Sequence, residues 1–163
     1  MIDEKLDYRW QKIKNGKPFL AIMNLEISKN DNQNEIIEEY DGKGWGGMGN
    51  FVSIPAKDEP GKAHFRNWRK AVIKGLEFVF SKTDTKWTVK IKKVEGLIAT
   101  DTNPTIVGYA AILAFCRQTN LELDFDTSRK IEDFTFKSWE VKNSDIKIPN
   151  FTDLKYEDDD FNE

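Results

Sequence analysis

Residues Trp87 to Asn120, WTVKIKKVEGLIATDTNPTIVGYAAILAFCRQTN, hold a strand, a capped turn and a buried helix in one run. Trp87, Val89 and Ile91 alternate with Thr88, Lys90 and Lys92. That period of two belongs to a strand with one face on a core and the other in water. Lys93 and Val94 shift the phase, so the strand is expected to bulge or end there. Asn103 and Pro104 then set a helix start. The Asn side chain can accept from an orphan N–H of the first turn, and Pro at the first helical position loses no donor. The helix is predicted from Pro104 to about Gln118 and is apolar almost all round, which marks a buried helix, too short to span a bilayer. Gly108 and the neighbouring alanines allow another element to approach closely.

Working outward, a second helix is predicted over His64–Ser81. Trp68, Ala71, Val72, Gly75, Leu76 and Val79 recur at helical spacing, with Arg66, Lys70, Lys74 and Glu77 on the other side. Pro18–Ile27 reads as a strand after the turn Lys14-Asn15-Gly16-Lys17, and residues 1–17 read as polar. Glu35–Tyr40 reads as a partner strand and Phe51–Pro55 as a short one. The glycine-rich stretch 41–50 between them is a loop or a strongly bent strand. Leu121–Phe125 and Phe134–Val141 alternate and are expected to be strands. The expected architecture is α+β, one domain over 1–150, with a β-sheet and two main helices packed on one face. Residues 151–163 are expected to form an acidic, mobile tail.

With 163 residues, five Trp and 33% charged residues, the chain suits one folded domain with a solvated surface. The single Cys excludes an intrachain disulfide. No apolar run reaches membrane-spanning length and MIDEKLDYRW has no signal-peptide core, so a cytoplasmic protein without membrane contact is expected. Charge is uneven. Residues 61–93 carry ten cations against Glu77 and Asp84, a surplus of eight, which leaves −11 on the rest of a chain whose net charge is −3. The acid gathers at Glu35–Asp41, Asp124–Asp133 and the tail.

Two motifs resemble a known domain. Phe65-Arg66-Asn67-Trp68-Arg69-Lys70-Ala71-Val72-Ile73-Lys74-Gly75-Leu76 looks like the first helix of the ribosomal-protein-type β-α-β domain that forms the fourth domain of elongation factor G. Gly96–Pro104 followed by Val107–Phe115 looks like its second helix start, over residues 62–118 in all. The resemblance implies a split β-α-β fold. It does not carry translation activity, because the chain has no Gly-x-x-x-x-Gly-Lys-Ser/Thr loop and no histidine near Asp101.

No residue set reads as catalytic, metal-binding or cofactor-binding. The 42–49 glycine cluster lacks the Lys-Ser/Thr end of a phosphate loop. Cys116 sits on the most apolar helix and reads as a buried small hydrophobe. A dyad with His64, the one histidine, stays open on sequence alone. The first expectation is a non-enzymatic protein-interaction domain, of inhibitor or immunity type, that meets a protein partner through Trp45, Met48, Asp158, Asp159 and Asp160. The alternative is an RNA- or ribosome-binding module using Arg66, Lys70, Lys74, Lys90 and Lys92.

Overall fold

The computed structural model describes residues 7–45, 49–57 and 63–158. Along them run β1 (Asp7–Lys14), β2 (Lys17–Lys29), β3 (Glu35–Glu38), β4 (Gly44–Trp45), β5 (Phe51–Ser53), α1 (Ala63–Phe80), β6 (Trp87–Leu97), α2 (Pro104–Thr119), α3 (Phe125–Phe136), β7 (Lys147–Asn150) and β8 (Lys155–Asp158). The fold is α+β. Strands β1 to β6 form one sheet in the order β1-β2-β6-β5-β4, with β3 also on β6, and β7 and β8 form a separate hairpin. All pairings are antiparallel except β3 with β6.

The alternation in β6 does what its sequence predicts. Val89, Ile91 and Val94 are fully buried, and Lys90 lies on the far face opposite Glu26 of β2. The phase shift is a bulge. Leu25 pairs with Ile91 and Asn24 with Lys93, so Lys92 is the extra residue. Without it, Val94 would face solvent.

Helix α2 begins as its sequence predicts. The Asn103 side chain accepts from the Ile106 N–H at 2.9 Å, with Pro104 at the first helical position. The helix packs on α1, on β2, on β7 and on α3, which explains why it is apolar on every side. Its closest neighbour is α1. A Cβ on Gly75 would collide with the Gly108 carbonyl oxygen, and one on Gly108 would lie 2.9 Å from the Ala71 carbonyl oxygen. The two glycines therefore set the spacing of the helix pair. Trp68 of α1 and Phe115 of α2 are buried in the shared core, each contributing roughly 1.5–3 kcal/mol through burial.

Four expectations change. Residues 7–14 form a strand, joined to β2 by a two-residue turn in which Asn15 and Gly16 have φ of 53° and 77°. Leu121–Phe125 and Phe134–Val141 are not strands. Asp124 caps a third helix, and a 3-10 turn follows at Ser138–Glu140. The Phe134–Phe136 alternation has another cause: Phe134 stacks on Tyr156 at 4.7 Å, while Phe136 meets Trp10 and Phe19. Finally, the chain does not leave the fold after residue 150. Phe151 is buried against Gly108 and Phe78, and Lys155–Asp158 pair with β7.

Candidate functional site

The basic residues of 61–93 fall into two groups. Arg66, Lys70 and Lys74 are half-buried on α1, which packs on the inner side of the sheet. Lys90 and Lys92 belong to the outer side. Lys90 faces Glu26, and Lys92 Nζ lies 2.8 Å from Glu39 Oε1. The sheet stands between the two groups, so they do not make one surface. Acids of the same chain also meet the cations. Lys74 Nζ is 3.3 Å from Glu157 Oε2, and Lys93 Nζ is 3.0 Å from Asp7 Oδ2. The hydrogen bond from Lys92 holds the Glu39 carboxyl below the usual carboxylate range, and the same bond raises Lys92.

Trp45 closes the sheet at β4. It is 43% exposed, yet its ring is fixed: Nε1–H donates to the Gly49 carbonyl at 2.9 Å, and the ring meets His64 edge-on at 5.9 Å. The acidic end of β8 lies along α1, where Glu157 meets Lys74. Asp158 pairs with Lys147, which follows the turn Ser144–Ile146, and Asn67 Nδ2 donates to the Asp145 carbonyl at 3.1 Å. His64 and Asn67 are one helical turn apart, so Trp45 and the Ser144–Ile146 turn lie beside the first two turns of α1, whereas Glu157 of β8 meets Lys74 further along the helix. Burial raises the Asp145 carboxyl above its usual range. Met48, Asp159 and Asp160 lie outside the described residues.

Residues that suggest chemistry in isolation are engaged in the fold. Asn103 Nδ2 donates to Ser138 Oγ at 3.0 Å while its oxygen caps α2. Thr102 Oγ1 accepts from the Leu97 N–H at 2.9 Å and donates to the Leu20 carbonyl. Burial pushes the Cys116 thiol up to about 11, away from a reactive thiolate. A His64–Cys116 dyad is ruled out by distance. Cys116 follows Phe115, which meets Phe80 in the last turn of α1, while His64 is in the first, about 24 Å of helix away. Among the described residues no group of three or more His, Cys, Asp and Glu can hold a metal ion. No described helix is long and apolar enough to cross a membrane.

A groove of about 330 Å³ runs between α2 and α3, lined by Tyr109, Phe125, Arg129 and Glu132 among others. The acids expected there as a surface are partly occupied. Asp124 accepts from the Thr127 N–H and hydroxyl at 2.8 Å, bonds that lower its carboxyl, and Asp126 pairs with Lys130 at 2.9 Å.

The first hairpin, expected only as a polar stretch ending in a turn, carries charge of its own. Arg9, Lys12 and Lys14 on the edge strand β1, with Lys17 on β2, make it a second basic region. Its signal was Asn15-Gly16 between alternating residues, the turn that a two-residue hairpin demands.

The chain matches no protein-family model and no curated protein.

Proposed function

We propose that the chain is a protein-interaction domain whose working surface runs along α1 from Trp45 at its start to the acidic end of β8 beside Lys74. The observation that carries this reading is Trp45, an indole 43% exposed and yet held by a hydrogen bond and a ring contact. A large aromatic ordered before binding loses little freedom on docking, which is the physical character of an interface hot spot. The acids that follow, from Glu157 through Asp160 to Glu163, suit a basic partner, as in an inhibitor or immunity-type protein. The likeness to the fourth domain of elongation factor G enters as a statement about architecture only. The RNA-binding alternative has less support, since its five residues lie on opposite sides of the sheet and three of the chain's ion pairs neutralise that segment.

The test is affinity capture of the partner from the native cell by cross-linking, followed by titration with variants. Trp45→Ala is expected to weaken binding by about 2 kcal/mol or more. Removing residues 159–163 is expected to slow association and flatten its dependence on salt. If both variants bind as the parent does, this surface is not the working one. If charge reversal at Lys70, Lys74, Lys90 and Lys92 instead abolishes binding to RNA, the alternative replaces it.

A further inference from the structure

Among the described residues, no strand covers the outer edge of β1. Lys14 and Lys17 close a two-residue turn with both central φ values positive, a hairpin whose closing pair exchanges both backbone hydrogen bonds. Bonding then alternates along the ladder. Lys12 with Phe19, Trp10 with Ala21 and Tyr8 with Met23 are bonded pairs. Arg9, Gln11 and Ile13 therefore turn their N–H and C=O groups away from β2, and no other described strand meets them there.

Proteins guard such edges with bulges, prolines, short strands, covering elements or charge. Here the β1–β2 register runs through eight pairs without a break, and β1 contains no proline. Ile13 lies 78% exposed beside its own open backbone groups. Among the described residues only charge remains as a guard, and it has one sign. Arg9, Lys12 and Lys14 stand along β1 and Lys17 opens β2, and the one carboxylate of β1, Asp7, is engaged by Lys93 and by Asn24 Nδ2 at 2.9 Å. A second copy laid against this edge would bring these cations against themselves, which is unfavourable. An extended segment with alternating carboxylates would find both backbone partners and opposite charge.

We infer that β1 is a docking edge for an acidic, extended segment of a partner protein, which adds to the sheet as a seventh strand beside Arg9–Ile13. This surface lies at the opposite rim of the sheet from Trp45, so it stands apart from the site proposed above.

The test uses two fluorophore-tagged peptides with blocked ends, one alternating Glu and Val, the other Lys and Val, with binding read by anisotropy at low salt. The Glu/Val peptide is expected to bind and the Lys/Val peptide to bind at least about tenfold more weakly. Gln11→Pro removes an N–H that faces outward and is expected to keep the fold while lowering affinity about tenfold or more. The triple variant Arg9→Glu, Lys12→Glu, Lys14→Glu is expected to reverse the preference between the peptides. N-methylation of alternate backbone nitrogens in the probe gives a check that does not depend on any variant folding. One set of methyls should abolish binding, and the other should leave it. Four results would overturn the proposal: no binding of the Glu/Val peptide, equal binding of both peptides, binding indifferent to Gln11→Pro and to both methylated sets, or a dimer of the chain itself that Gln11→Pro dissolves.

Discussion

Helix α2 and strand β1 are opposites within one fold. In α2 the side chains look chemical, with an Asn beside Pro at its start and a Cys near its end, yet the fold engages them. Asn103 holds Ile106 and Ser138, and Cys116 is a half-buried thiol with a raised pKa, where its sequence suggests full burial. In β1 no side chain suggests chemistry, yet every second residue turns its backbone groups to the rim of the sheet, where no other described strand meets them. The difference teaches where to look for function in a domain of this kind. Spare hydrogen-bonding capacity at the surface is better evidence of a partner than reactive atoms that the interior already satisfies.

If that contrast holds, substitutions in α2 act on stability and those in β1 act on binding. The largest effect should come from Gly75→Ala. Its methyl group would strike the Gly108 carbonyl oxygen, which belongs to helix backbone and cannot turn aside. Overpacking of this kind is expected to cost about 3 kcal/mol, measured as a lower midpoint in urea with an unchanged slope. In contrast, Ile13→Thr on β1 is expected to move stability by no more than about 0.5 kcal/mol. A Gly75→Ala protein as stable as the parent would mean that the α1–α2 contact is looser than the geometry requires.

Next in size is Asn103→Ala. The change removes the cap of α2 and leaves the Ser138 hydroxyl, which is buried, without its partner. The two losses together are expected to cost about 2 kcal/mol in chemical denaturation. Asp124 caps α3 in the same way but at the surface. Its lowered carboxyl supports the helix above the unfolded-state carboxylate pKa, and that support is lost as pH falls through the folded value. Asp124→Ala is accordingly expected to remove part of the acid sensitivity of melting, with a smaller loss at neutral pH than Asn103→Ala.

These two caps show what the sequence discloses. Asn103-Pro104 before a fully apolar run is unmistakable, because α2 is enclosed on every side and needs no polar face. Asp124 carried the same signal, but α3 rests its inner side on Thr127, Ser128, Ile131 and Thr135, where polar residues hide the 3.6 period. The alternating Phe134 and Phe136 then imitate a strand while serving two different aromatic clusters. The bulge in β6 was legible as a slip in alternation, since register has only two faces to choose from. Of the candidate site, Trp45 could be named from its glycine surroundings. Its contact with His64, and the separation of Lys70 from Lys90 by a sheet, depend on pairings far apart in sequence.

Cys116 offers a smaller test of the same contrast. Its thiol ionises at about 11 in the folded state against 9.0 as the reference value. Between these values the unfolded chain releases a proton that the folded chain keeps. Stability from this group is therefore complete below pH 9.0 and declines as pH rises towards 11. Cys116→Ala is expected to flatten the alkaline limb of the melting profile. Thiol labelling of the parent at neutral pH should follow opening of the structure and not direct attack. Labelling as fast as that of a free thiol would place Cys116 among accessible groups and blur the distinction between α2 and the rim.

The finest discrimination lies within β1 itself, between neighbours. Lys12 donates its N–H to the ladder with Phe19, whereas the N–H of Gln11 points outward. Proline at position 12 therefore deletes a backbone hydrogen bond, and proline at position 11 deletes none. Lys12→Pro should be less stable than Gln11→Pro by about 1 kcal/mol, compared by thermal melting of the two variants side by side. Sequence gives no reason for these adjacent positions to differ, since both carry exposed polar side chains. A difference of the opposite sign would place the open backbone groups on the even-numbered residues. The bonded and open positions along β1 would then be exchanged, and the strand-docking edge beside Arg9–Ile13 would lose the register on which it rests.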